Sequence, residues 1–264
     1  MQITRTGHGR PLLLVHGLGS TRHVWDPILP GLAAEREVIA LDLPGHNGVP
    51  AKADSGTFAG LAADLEALLK AEHLVGVDMV GSSLGAQLVL EMARLGKAGA
   101  TVALDPSGFW MGLERSYVRT SLHGSAIMLR GLRHALPMLG RNPASRIAML
   151  GQLSARPWAL DGALIANELD AFAATVTLDE LAENLAFGPM QKGPAAPTSG
   201  PVTIGWGRHD RLCLPDQAAR AAAAFPNARL HWFDQSGHFP MWDQPEEALA
   251  LILEATGEDV RLAA

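Results

Sequence analysis

The sequence predicts an α/β chain: a mostly parallel sheet with helices on both faces, interrupted by an inserted helical cap. Three observations lead there. Strand-like and helix-like segments alternate over the first hundred residues, the alternation stops after Gly108, and it resumes at Val202. The chain therefore divides into a core over 1–107, a cap over 108–195 and the rest of the core over 196–264. With 264 residues and 48% hydrophobic content, one large domain carrying an insertion can bury a substantial core without covalent staples.

A single short strand, Gln2 to Thr6, precedes the apolar run Pro11 to Val15. A helix follows near Trp25 to Ala34, then a strand from Val38 to Leu41. The helix from Phe58 to Ala71 is the clearest, because Leu61, Leu65, Leu68 and Leu69 share one face while Glu66 stands four residues before Lys70 on another. Val75 to Val80 reads as a strand, Leu84 to Leu95 as a helix closed by Gly96, and Thr101 to Leu104 as a strand ending at Asp105-Pro106. From 108 to 187 the patterns are helical, with a capping box at Thr177 and Glu180 and no convincing strand. A Pro/Gly-rich stretch from Gly188 to Pro201 leads back to strands at Val202 to Trp206 and Arg229 to Phe233. The closing helix starts at Pro245, a favoured first-turn residue, and ends before Gly257.

Composition excludes several classes. The single cysteine, Cys213, allows no intrachain disulfide. The N-terminus lacks an apolar targeting region, and no run reaches the roughly 18 apolar residues of a spanning helix, so the expectation is a soluble, cytoplasmic protein with no membrane partner. A formal net charge of -6, without clustered basic and aromatic residues, argues against nucleic acid. Neither a dinucleotide fingerprint nor a Walker-type loop is present, so no cofactor is implied. His-Glu-x-x-His and similar ligand spacings are missing, so no metal is expected. The partner expected is a small-molecule substrate, and whether the chain forms a homo-oligomer is left open.

The motif with most chemical content is Gly81-Ser82-Ser83-Leu84-Gly85, set between a strand and a helix. Two glycines permit a turn too tight for larger residues, which pushes the Ser83 hydroxyl out above the sheet edge. His16-Gly17-Leu18-Gly19 closes an upstream strand, Gly207-Arg208-His209-Asp210 a downstream one, and Ser236-Gly237-His238 follows a third. The C-terminal ends of parallel strands share one edge, so Ser83, Asp210 and His238 are brought together. A serine hydroxyl attacks a carbonyl only if a base takes its proton. His238 is the candidate base, and a carboxylate on its far nitrogen would fix the tautomer. Asp210 is the choice for that carboxylate. Asp105 also ends a strand, and Pro106 behind it favours an extended backbone there. The N–H groups of Leu84 and Leu18 are placed to receive the oxyanion. His16 and His46 are expected to tie down their own loops, and His209 to point away.

The order and character of these segments, together with Asp42-Leu43-Pro44-Gly45-His46, resemble the α/β-hydrolase superfamily over nearly the whole chain, specifically its lidded serine hydrolases: esterases and lipases, perhydrolases, lactonases and C–C bond hydrolases. The resemblance implies the same two oxyanion positions. Relatives that open epoxides or displace halide carry aspartate at the elbow, so Ser83 favours an acyl-enzyme. Carboxylic esters of apolar acyl or aryl groups are the expected substrates. A C–C hydrolase or lactonase acting on a carboxylate-bearing ring-cleavage product is the alternative, and a non-catalytic ligand sensor of the same fold is the other.

Phe109, Trp110 and Met111 at the start of the cap, and Phe239 beside His238, are the candidate pocket residues. The cap's charges are segregated. Arg115, Arg119, Arg130, Arg133, Arg141, Arg146 and Arg156 stand against Glu114 alone up to residue 157, whereas Asp161, Glu168, Asp170, Asp179, Glu180 and Glu183 follow. Either the halves pair with each other or with the core, or an arginine such as Arg115, Arg119 or Arg130 holds a substrate carboxylate.

Overall fold

The computed structural model describes residues 1–257. Its strands are β1 (Gln2–Thr6), β2 (Pro11–Val15), β3 (Glu37–Asp42), β4 (Asp78–Ser82), β5 (Thr101–Leu104), β6 (Val202–Gly207) and β7 (Arg229–Phe233), in one sheet ordered β1-β3-β2-β4-β5-β6-β7. Only β1 runs antiparallel, against β3. The single edge strand ahead of Pro11 is thus present as expected.

Central strands are apolar on both faces because both faces are covered. Leu13 and Val15 of β2 pack on one side of the sheet, Leu12 and Leu14 on the other. On the first side lie α2 (Phe58–Ala71) and α3 (Leu84–Arg94). On the second lie Trp25, Ile28 and Leu32, beside Leu251 and Ile252 of the closing helix (Pro245–Ala255). Helix α2 buries Leu61, Leu65 and Leu69 as its periodicity demands. Thr57 Oγ1 caps it by accepting from Gly60 N at 3.0 Å.

Two boundaries depart from the sequence pattern. The helix expected near Trp25 to Ala34 is split into a 3₁₀ turn (Arg22–Trp25) and a short α1 (Leu29–Glu35), with Pro30 in the first turn of the latter. Strand β4 begins three residues after Val75, because Gly76 is left-handed at φ +84° and Val75 is exposed. The buried Asp78 starts the strand, taking Arg36 Nη2 at 2.8 Å and Ala100 N at 2.9 Å.

Between β5 and β6 lie only helices: α4 (Leu113–Gly131), α5 (Leu136–Arg141), α6 (Pro143–Leu150), α7 (Gly162–Ala174) and α8 (Leu178–Phe187), with short 3₁₀ turns. Thr177 does precede α8, but no capping box forms. Its backbone (φ −96°, ψ 4°) is not the extended conformation of a capping residue, and Oγ1 has no partner among the described residues. Thr177 instead packs against Gly45, and Glu180 against Gly56. Among the described residues no helix is long and apolar enough to cross a membrane.

The chain leaves β2 for β3 on one side and returns to β4 on the other. This reversal lets the loops after β2 and β4 open side by side at the carboxyl edge. There α3 lies directly on the end of β2: a Cβ on Gly85 would stand 2.1 Å from Val15 O. Gly85→Ala should therefore lower stability by about 2–3 kcal/mol. Urea unfolding checks this as a lower midpoint at unchanged m-value.

Candidate active site

Ser83 sits at the junction of β4 and α3 with φ +55° and ψ −116°, a backbone that non-glycine residues adopt only when the surroundings impose it. Those surroundings are specific. Ser83 N donates to Leu104 O at 2.9 Å, and its carbonyl accepts from Gln87 N at 3.0 Å and Ser107 N at 3.2 Å. A Cβ on Gly81 would lie 2.2 Å from Gly85 O, so both flanking glycines are required by contact. Ser82, one residue earlier, stays fully buried in β4. Leu84 is the first residue of α3, where an N–H has no intrahelical acceptor. Leu18 lies on the loop after β2, which passes Ser83 so closely that a Cβ on Gly17 would be 3.1 Å from Ser83 Cβ.

His238 Nδ1 donates to Asp210 Oδ2 at 2.7 Å, and both side chains are buried. The other Asp210 oxygen accepts from Leu212 N at 2.8 Å and Cys213 N at 3.0 Å, which locks the carboxylate. The two turns that carry this pair touch through glycines: a Cβ on Gly207 would be 2.0 Å from Gly237 O. His238 Nε2 has no protein partner among the described residues, and the imidazole lines the same cavity as Ser83. Phe239 stacks edge-on against it at 4.9 Å.

Asp105 is not the histidine's partner. Its Oδ1 accepts from Gly207 N at 2.8 Å, at the end of β6. Its backbone is left-handed at φ +45° rather than extended, since Asp105 N is tied to Gly205 O and overrides the preference ahead of Pro106. Burial and the Asp210 charge push its carboxyl well above the usual range. Cys213, Asp210 and His238 bring ligand-type atoms within 4.8 Å of one another. Both Asp210 oxygens are occupied, however, and burial with the nearby carboxylates pushes the Cys213 thiol up, so the group fits a hydrogen-bonded cluster better than a ligand set. His16 and His46 serve their loops: Leu43 N donates to His16 Nε2 at 3.0 Å, and burial drives His46 down to about 3. His209 is exposed and bonds through its backbone to Ser236 O at 2.9 Å.

The cavity above Ser83 is walled by Leu122, Met128, Leu129, Met149, Ile165, Leu169 and Phe172 of the helical segment. Trp110, Phe239 and Trp242 add aromatic surface. Of the four residues proposed from the sequence, Trp110 and Phe239 line this cavity and Phe109 and Met111 do not. Phe109 is packed in the core, its carbonyl held by Arg220 Nε at 2.7 Å, and Met111 is exposed at the entry to α4. No lysine or arginine lines the cavity among the described residues. The arginines are engaged elsewhere: Arg119 with Glu183 at 2.8 Å, Arg130 with Asp179 at 2.6 Å, Arg133 with Asp170 at 2.9 Å, and Arg115 with Gly188 O at 3.3 Å.

Glu168 was not singled out by the sequence pattern, yet besides His238 it is the ionisable side chain among the residues lining the cavity. Its signal was there: Ile165, Glu168, Leu169 and Phe172 fall on one face of α7. Its oxygens accept from Ser20 Oγ and Thr21 Oγ1, each at 2.6 Å, and burial pushes its carboxyl up to about 7.

The model of the Alpha/beta hydrolase family matches residues 12–251. The dihydrolipoyllysine-residue acetyltransferase component of an acetoin-cleaving system from Pseudomonas putida is 30% identical, over 90% of this chain and 61% of that protein. The chain thus spans less than two thirds of that relative's length. A pimeloyl-[acyl-carrier protein] methyl ester esterase from Methylococcus capsulatus is 29% identical over 96% of both chains. A 2-hydroxy-6-oxononadienedioate/2-hydroxy-6-oxononatrienedioate hydrolase from Dechloromonas aromatica is 26% identical over 92% of this chain and 85% of its own.

The raised Glu168 carboxyl carries a stability signature. The folded state holds this proton up to about 7 and the unfolded chain only to 4.5, so its contribution is complete below 4.5 and is lost as pH rises through 7. Glu168→Gln should flatten the fall in unfolding free energy between about pH 5 and pH 8 by up to ~3 kcal/mol, read by urea denaturation at each pH.

Proposed function

The chain belongs to the alpha/beta hydrolase family, and on that premise we propose that it is a serine hydrolase cleaving carboxylic esters of apolar, uncharged substrates through an acyl-enzyme. The observation that carries the reading is the 2.7 Å bond from His238 Nδ1 to Asp210, with the imidazole lining the same apolar-walled cavity as the strained Ser83. Ser83 Oγ attacks the ester carbonyl while His238 Nε2 takes its proton, and the carbonyl electron pair moves onto oxygen. Asp210, bound to Nδ1–H, keeps the tautomer that leaves Nε2 free and stabilises the imidazolium. Leu84 and Leu18 N–H groups receive the oxyanion. Collapse expels the alcohol, which leaves with the proton from His238. A water then repeats the sequence on the acyl-enzyme: its proton passes to His238, the acid departs and Ser83 recovers its hydrogen.

The helical segment acts as the cap that gives this site apolar walls. That composition favours esters over the alternative substrates. A dienedioate, as in the name of the Dechloromonas relative, carries two carboxylates. Among the described residues no lysine or arginine lines this cavity to meet them.

A fluorophosphonate probe should label the protein and spare Ser83→Ala. His238→Ala should lower kcat on a generic aryl ester about a thousandfold or more, and Asp210→Asn similarly with KM nearly unchanged. Binding of apolar ligands without turnover of any ester would identify a sensor instead.

Matched substrates test the charge preference. An uncharged aryl ester should exceed its ω-carboxylate analogue in kcat/KM by at least ~10-fold, a gap of about 1.4 kcal/mol. The opposite order would move the substrate class to carboxylates and leave Ser83, His238 and Asp210 in their roles.

A further inference from the structure

Helix α7 grips the loop after β2 at three consecutive residues. Phe172 fills the space beside Gly19 so closely that a Cβ there would be 2.3 Å from its ring. Glu168, one turn earlier on the same face, accepts from Ser20 Oγ at 2.6 Å, Thr21 Oγ1 at 2.6 Å and Thr21 N at 3.3 Å. All three donors come from one loop and Glu168 is only 7% exposed, so leaving its carboxyl without them would carry a large desolvation cost. The other anchors of this loop belong to the core. Leu43 N donates to His16 Nε2, and Arg22 N donates to Asp42 Oδ1 at 2.8 Å. Leu18 hangs between Gly17 and the left-handed Gly19, φ +71°, where the backbone turns easily once a restraint is released.

We propose that Glu168 is a positioning residue: by fastening Ser20 and Thr21 to α7, it sets the place of the Leu18 N–H and makes oxyanion stabilisation depend on a docked cap. The inference rests on the reading of Leu18 as an oxyanion donor given above. Ser20, Glu168 and Phe172 lie on the cavity wall, but most of the apolar surface that meets the substrate comes from Trp110, Leu122, Met128, Leu129, Met149 and Ile165, which take no part in the clamp, whereas the oxyanion forms only on the way to the tetrahedral intermediate. Releasing the clamp therefore costs the transition state more than the bound substrate.

Glu168→Ala should lower kcat on a neutral aryl ester by ~10-fold or more with KM within about threefold, and should weaken an aryl boronic acid, which forms a tetrahedral adduct on Ser83, in parallel with kcat. Glu168→Gln, whose amide oxygen still accepts from one hydroxyl, should recover part of the loss. Thr21→Val keeps the side chain's shape and removes one donor to Glu168, together with the acceptor for His23 N at 3.0 Å; it gives a smaller effect of the same kind even if the Glu168→Ala variant fails to fold, and Ser20→Ala, which removes the other hydroxyl donor without touching that cap, should match it. Thr21→Val and Glu168→Ala combined should cost less than the sum of their separate effects. Unchanged kcat in Thr21→Val and Glu168→Ala, or losses that follow Tm alone with KM rising equally, overturn the clamp. Failure of the wild type to take the fluorophosphonate label overturns the hydrolase reading itself, so the two failures are separable.

Discussion

The site depends on how closely two backbones meet at the carboxyl edge of the sheet. Helix α3 can start where it does only because Gly85 brings no side chain toward the carbonyls of Val15 and His16. That contact turns the chain sharply at Ser83 and sets the serine against the loop after β2. The same device recurs at Gly207 and Gly237, where two more turns cross to unite Asp210 with His238. Precision in the site thus comes from main chain packed on main chain, which has few ways to relax.

The helical segment is held by different means at its two levels. Across its outer surface, arginines of α4 and the following 3₁₀ turn face acids of α7 and α8. These pairs are substantially exposed, and exposed pairs contribute little to stability. They bring three of the arginines from the basic half of the segment onto three acids of its acidic half. Toward the core the attachment is close and partly polar: Phe172 on Gly19, Thr177 on Gly45, Glu180 on Gly56, and Glu168 on two hydroxyls. A buried carboxyl that takes up a proton near neutrality is a costly element in such an interface, which is why its hydroxyl partners matter.

Much of this was legible because it is written in local pattern. Period-two and unbroken apolar runs gave the strands, Leu61, Leu65 and Leu69 gave the face of α2, and the glycines around Ser83 gave the elbow. What escaped depends on distant partners. Val75 reads as strand until Gly76 turns left-handed, and Thr177 with Glu180 reads as a capping box until two core glycines take those side chains as neighbours. Phe109 and Met111 are as apolar as Trp110, and only packing decides which of the three faces the cavity. Glu168 lay in plain view on an apolar face, but its partners are nearly 150 residues upstream.

Asp105 and Asp210 place two carboxyl groups from neighbouring strand ends in one buried region, where burial and the Asp210 charge push the Asp105 carboxyl well above the usual range. In evolutionary terms this makes the acid portable. A lineage that passes through a chain built like this one never has to cross a stage in which the interior behind its histidine lacks a carboxyl. Relocation from one strand to the next then needs the histidine to turn from Asp210 toward a carboxyl that is already in place, though tied to Gly207 N, followed by drift at the vacated position.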